Sequence, residues 1–149
     1  MKHEITICPV TDNRGVIIAA DWLQRAEPVH RQLRPLLPAD YVGRMTQVFA
    51  GGARMVLAVQ AGSVSGIAVW RLIENTYEGR RLYVDDLVTD EQCRSGGVGK
   101  ALFGWLEVQA RTLGCDVLAL DSGVQRARAH AFYFREGMMI PSFNFRKAL

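Results

Sequence analysis

The sequence predicts a mixed-sheet α/β (α+β) fold with the element order β-α-α-β-β-β-α-β-α-β. Two features of the chain carry that prediction. The runs RMVLAVQA and GIAVWRLI flank the turn sequence GSVS, the pattern of an antiparallel hairpin. A third β-type run, RRLYVDDLVTD, breaks into Arg-Ser-Gly-Gly-Val-Gly and opens directly onto the helical KALFGWLEVQARTLG, with VLALDS beyond it. Strand, glycine turn, helix and strand from Tyr83 to Asp121 make a right-handed β-α-β unit with parallel strands. With 149 residues and 49% hydrophobic content, residues 1–149 suffice for one core and are read as a single domain, without repeats, low-complexity tracts or linkers.

The elements follow in order. Glu4 to Cys8 alternate polar and apolar ahead of Pro9, as a short strand does. Asp12 or Asn13 caps a helix running to about Arg25, and Pro28, Pro35 and Pro38 break up the next stretch. After Asp40, YVGRMTQVFA is helical, with Tyr41, Met45, Val48 and Phe49 on one side and Gly51-Gly52 as its stop. The hairpin, the third strand, the long helix and VLALDS come next. RARAHAFYFRE then forms a helix and MIPSFNFRK a last strand.

Composition narrows the function classes. Eighteen Lys and Arg against fifteen Asp and Glu give a net charge of only +3, spread along the chain and not interleaved with aromatics, so nucleic acid is not an expected partner. Cys8, Cys93 and Cys115 are odd in number and lack a Cys-x-x-Cys pair, which argues against a disulfide framework and a metal site and places the protein in a reducing cytoplasm. The start MKHEITICPV has no signal-like pattern, and VIIAADWL is too short to span a membrane.

The joint between Val84 and Gly99 is the most informative segment. A strand feeding a glycine turn at a helix N-terminus directs free N–H groups and the positive helix end at one point, which suits a phosphate. A Walker P-loop is excluded, because Arg94 stands where its first glycine belongs and Ala101 where its Ser or Thr belongs. A dinucleotide fingerprint from Gly97 is excluded as well, because Leu102 replaces its third glycine and the turn comes late in the chain. The pattern that fits is Arg/Gln-x-x-Gly-x-Gly/Ala, filled by Arg94, Gly97 and Gly99.

From about Gly66 to the C-terminus the chain resembles the GNAT superfamily of acyl-CoA-dependent N-acyltransferases. The resemblance rests on the strand pair before the motif, the glycine turn, the strand after it, and the late Tyr-x-x-x-Gly helix of Tyr133 and Gly137. It implies acetyl-CoA as co-substrate, no metal, and an acetyl group passed to a primary amine by direct attack in a ternary complex. Backbone N–H groups of Ser95, Gly96, Gly97, Val98, Gly99 and Lys100 then cradle the pyrophosphate, with Arg94 adding charge or pinning the loop. Leu87, Val88 and Thr89 offer backbone groups to the pantetheine arm as a neighbouring strand would. Arg126 stands where the family commonly has asparagine, and contact with a cofactor phosphate is its expected role.

Aminolysis of a thioester needs a neutral amine and a protonated leaving thiolate. Tyr133 matches the family's general acid, and at spacings of four and three it shares a helix face with Arg126 and His130. For the base there are Asp85 and Asp86. Adjacent strand residues point to opposite faces, so at most one looks into the acceptor site; Asp85, on a face with Tyr83 and Leu87, is favoured. Either aspartate could instead pair with Arg71, Arg80 or Arg81, or hold a strand bulge. His30 and His130 are given no catalytic role. Trp22, Trp70 and Tyr77 are candidates for the acceptor pocket. Arg31, Arg34 and Arg44 suit an acidic acceptor and the aspartates a cationic one, which leaves small amines, antibiotics, amino acids, polyamines and protein N-termini open. A homodimer is compatible with all of this. The alternative is a catalytically silent CoA-binding sensor or interaction module.

Overall fold

Near-continuous apolar runs in residues 54–73, and an alternating one in residues 79–89, build the three long strands at the centre of the sheet. The computed structural model describes residues 3–149, in two compact units that divide between Ala119 and Leu120. In the first unit β1 (Thr6–Pro9), β2 (Arg54–Gln60), β3 (Ser63–Asn75), β4 (Gly79–Thr89) and β5 (Val117–Leu120) lie side by side in that order, β5 ending on the first residue of the second unit. The pairs β1–β2, β2–β3 and β3–β4 are antiparallel. The helices are α1 (Ala20–Leu33), α2 (Tyr41–Ala50) and α3 (Val98–Thr112), with α4 (Ala127–Arg135) in the second unit. The fold is the mixed α/β one that the sequence predicts.

Helices α1 and α2 cover one face of the sheet. Leu23, Ala26 and Val29 of α1 and Tyr41, Met45 and Phe49 of α2 pack there on Met55, Leu57, Ile67 and Val69. Helix α3 covers the other face, where small side chains let it come close. A Cβ at Gly66 would sit 2.5 Å from Val98 Cγ1 and 2.9 Å from Leu102 Cδ1, so only glycine admits the start of α3 at this depth.

Four local expectations are corrected. Helix α1 begins at Ala20, because Asp12 caps a turn, its Oδ1 accepting from the N–H groups of Arg14 and Val16 at 2.8 and 3.0 Å. The same helix runs through Pro28 to Leu33, its buried stripe outweighing the backbone bond that proline removes. The β2–β3 turn is Ala61-Gly62, not Gly62 to Ser65: both residues have positive φ, 48° and 75°, as a two-residue primed turn requires. Ser63 therefore already belongs to β3, and Ser65 is an extra residue bulged against Ala58 and Val59.

The fourth correction concerns MIPSFNFRK, which forms no strand. Phe143 and Phe145 are 83% and 93% exposed. Alternation yields a strand only where a neighbour supplies backbone partners, and within the second unit this segment meets its neighbours through side chains, Asn144 Nδ2 donating to Asp121 Oδ2 at 2.8 Å.

Candidate active site

Strand β4 changes phase at the two aspartates. Val84 lies opposite Trp70 and Asp86 opposite Val69, so Asp85 is the inserted residue of a β-bulge. Asp85 is ion-paired with Arg71, whose Nη2 and Nε lie 2.5 and 3.0 Å from Oδ2. Arg71 shares a face with Val69 by alternation, and Asp86 lies across from Val69. Both aspartates thus look to the α1 side, and the expected opposite-face arrangement is overturned by the bulge. The same phase change separates Tyr83 from Leu87, which pair with Arg71 and Ala68 on different faces.

Asp86 terminates a buried chain of hydrogen bonds. His30 Nε2 lies 2.7 Å from Asp86 Oδ2 and His30 Nδ1 lies 2.8 Å from Tyr41 Oη. Burial pushes the Tyr41 phenol well above its ordinary 10, helped by the charges of Glu27 and Asp86 and opposed by Arg31, so its O–H is present to donate. Nε2–H donates to the Asp86 carboxylate, and Nδ1 meets the Tyr41 hydroxyl. His30 is only 1% exposed. Arg34 completes the set, its Nε donating to Asp86 Oδ1 at 2.8 Å and its Nη2 to the Asp85 carbonyl at 3.1 Å. Burial pushes the Asp86 carboxyl upward, yet the bonds and charges of His30 and Arg34 prevail and hold it below 3.8, hence ionised.

This network was missed in the sequence, although a signal existed. His30 lies four and seven residues from Ala26 and Leu23 on one apolar helical stripe, where a polar side chain needs a buried partner. Ending the helix before Pro28 hid that spacing.

The glycine turn opens α3 without a side-chain cap. Asp90 caps a short 3₁₀ turn, Glu91–Cys93, and Gln32 of α1 clamps it, donating to Asp90 Oδ1 at 3.2 Å and accepting from the Glu91 N–H at 3.0 Å. Ser95 and Gly97 both have positive φ, 66° and 86°, and no side chain caps α3. The first helical bond runs from Ala101 N–H to the Gly97 carbonyl, so the preceding N–H groups have no carbonyl of their own helix. A Cβ at Gly97 would meet no atom within 4 Å, and Arg94, Ser95, Gly96 and Lys100 are exposed around this space. Val98 is buried under the turn and Gly99 is half-buried.

Leu87, Val88 and Thr89 pair with Ala68, Ile67 and Gly66 on one edge and stay half-buried. Strand β5 starts where Asp116 N–H meets the Arg80 carbonyl at 2.7 Å, and its four residues run beside only the early part of the eleven-residue β4. Counted from that contact, the four residues of β5 do not reach Leu87, Val88 or Thr89, so among the described residues of the first unit the late backbone of β4 has an open edge on that side.

In the second unit Tyr133 is half-buried, and burial raises its phenol above 10 while the Arg126 charge pulls the other way. Arg126 is the N-terminal cap residue of α4, and His130 is bonded to the Gly123 carbonyl at 2.8 Å. The proposed pocket aromatics are elsewhere. Trp70 lies on the α3 face against Trp105 and lines a cavity of about 330 Å³ there, Trp22 carries Arg25 over its ring at 4.0 Å, and Tyr77 is exposed in the β3–β4 turn. Among the described residues no group of three potential metal ligands occurs, and no helix is long and apolar enough to cross a membrane.

Within the first unit, a long strand, a glycine turn and an uncapped helix follow one another as in anion-binding strand–turn–helix joints. Residues 18–138 match the model of the acetyltransferase (GNAT) family, and the chain belongs to that family. It is 43% identical over 130 residues to an uncharacterized N-acetyltransferase, YhdJ, of Bacillus subtilis, covering 85% of this chain and 91% of the relative. It is 31% identical over 94 residues to the aminoalkylphosphonate N-acetyltransferase of Salmonella typhimurium, 62% of this chain and 61% of that one. Its fold is similar to that of an aminoglycoside N-acetyltransferase solved in complex with CoA, with a TM-score of 0.81 at 16% identity over 100% of this chain and 98% of the other. The chain is an acetyltransferase enzyme, and its reaction class is N-acetyl transfer.

Proposed function

We propose that this enzyme transfers an acetyl group from acetyl-CoA to the primary amine of a small acceptor by direct attack in a ternary complex. The observation that carries the cofactor assignment is the glycine turn: two positive-φ residues, an uncapped α3 and empty space where a Gly97 side chain would be. Backbone N–H groups from Ser95 to Lys100 hold the pyrophosphate, and Arg94 adds charge. The open edge at Leu87, Val88 and Thr89 receives the pantetheine amide groups as a strand would, and Arg126 is assigned to a cofactor phosphate. Acetyl-CoA supplies an activated thioester carbonyl.

The chain's own residues handle the protons. Asp86, held ionised by His30 and Arg34, orients the acceptor amine; a carboxylate of such low basicity is suited to binding an ammonium, whose first proton leaves to solvent. Asp85 is neutralised by Arg71, which makes it the weaker candidate for the base. Tyr133 keeps its phenolic proton at neutral pH because its burial disfavours phenolate, and it donates that proton to the departing thiolate. The proton shed by the acylated nitrogen restores the phenol.

Single-turnover and steady-state thiol release with Tyr133→Phe tests this assignment. The expected outcome is a fall in kcat of about a hundredfold or more with unchanged CoA affinity. Turnover at the wild-type rate would remove Tyr133 as the acid. The silent-sensor alternative draws no support from the relatives, both of which carry the name N-acetyltransferase.

A further inference from the structure

Asp86 has two unlike partners. Its Oδ2 is held by His30, which is buried and itself tied to Tyr41. Its Oδ1 is held by Arg34, whose side chain is 50% exposed and sits on the C-terminal cap residue of α1. One side of the carboxylate is therefore fixed to two helices, and the other is closed by a long, hydrated arm that can swing.

The charges nearby are otherwise matched. Asp85 is paired with Arg71, and Arg31 with Glu27 at 2.7 Å and with the Leu37 and Pro38 carbonyls. Asp86 Oδ1 and Arg34 Nη2, 2.7 Å apart, form an ion pair of their own. A purely cationic amine binding at Asp86 would displace Arg34 and leave two cations for one carboxylate. An amine carrying its own anion exchanges evenly: its ammonium takes Asp86 Oδ1, and its acid group takes the guanidinium released from that oxygen.

From this we infer that the acceptor is a zwitterion, a primary amine with a carboxylate or phosphonate a few bonds away, bound by Asp86 and Arg34. The inference rests on the acetyltransferase reading and deepens it by naming the acceptor class. It also reconciles the basic and acidic residues of this region, which separately suit opposite substrates.

The test uses four amines of similar reach, namely aminoethylphosphonate, β-alanine, propylamine and diaminopropane. Thiol release from acetyl-CoA and calorimetric binding of each amine are measured for wild type, R34M and R34K. Wild type is expected to favour the two acid-bearing amines about 10- to 100-fold in kcat/KM, the scale of one charge-assisted hydrogen bond. R34M loses that preference through a higher KM, and R34K, which keeps the charge without the fork, retains part of it. The ratio between phosphonate and carboxylate identifies the acid. An equal response to propylamine, or a preference for diaminopropane, overturns the zwitterion subsite and leaves the acetyltransferase reading standing. So does a preference that survives in R34M whose melting temperature and CoA affinity match wild type. Binding of acid-bearing amines that R34M abolishes, with no thiol release from any amine, upholds the subsite and overturns the transfer reading. Absence of both binding and turnover overturns the subsite.

Discussion

Replacing Gly97 with aspartate separates the two jobs of the glycine turn. The backbone there has φ 86° and ψ 7°, a left-handed conformation that costs an L-residue about 1–2 kcal/mol. No atom lies within 4 Å of the added Cβ, so strain is the whole of the structural cost. For a protein of this size each kcal/mol lowers the melting temperature by roughly 2–4 °C, and Gly97→Asp is expected to melt a few degrees below wild type while remaining folded. Binding should suffer far more. A carboxylate about 4 Å from a seated phosphate is repelled by about 1 kcal/mol in bulk water and about 4 kcal/mol near a protein surface, or roughly 5- to 1000-fold in Kd. Calorimetric titration with CoA and thermal unfolding read the two effects independently. Gly97→Ala, with the strain and no charge, should melt like the aspartate variant and bind CoA better than it does. CoA affinity in Gly97→Asp within twofold of wild type would refute a pyrophosphate seat at this turn, and loss of folding would show that the glycine serves only the chain's path.

Two further outcomes concern the sheet. Asp86 is more acidic in the folded protein than its ordinary 3.8, so its ionised form contributes stability that is complete above that value and disappears as pH falls through the lower folded one; the denaturation free energies of wild type and Asp86→Asn should differ at pH 7 and converge under acid, and a constant gap would contradict the assignment. Gly66→Ala forces a methyl against Val98 and Leu102 and should cost about 1–3 kcal/mol in urea unfolding, with weakened CoA affinity as α3 shifts; unchanged stability would mean that α3 is not seated closely on β3.

The three central strands and α3 were legible because their signals are local: apolar runs flanking turn residues for the sheet, a glycine turn for the start of the helix. The Arg94 to Gly99 pattern was legible for the same reason, since its chemistry lies in consecutive backbone groups. The Asp86 network was not, because it joins three elements far apart in sequence, His30, Tyr41 and Asp86. Pro28 reads as a helix end, and nothing local reveals that burial of Leu23, Ala26 and Val29 carries α1 past it. The Asp85 bulge is invisible for a related reason: a strand's phase depends on its partner's register, and one extra residue overturns a face assignment made by counting. MIPSFNFRK shows the converse, alternation without a strand partner in its own unit.

That extra residue makes β4 a spliced strand. Residues 79–84 pair with β3 in one register, and residues 86–89 pair in the next. Removing Asp85 would restore an uninterrupted ladder without moving Leu87, Val88 or Thr89 from their places on Ala68, Ile67 and Gly66. The two segments of the strand are thereby free to diverge separately, since a single-residue insertion or deletion at the junction is absorbed there and not transmitted along the sheet.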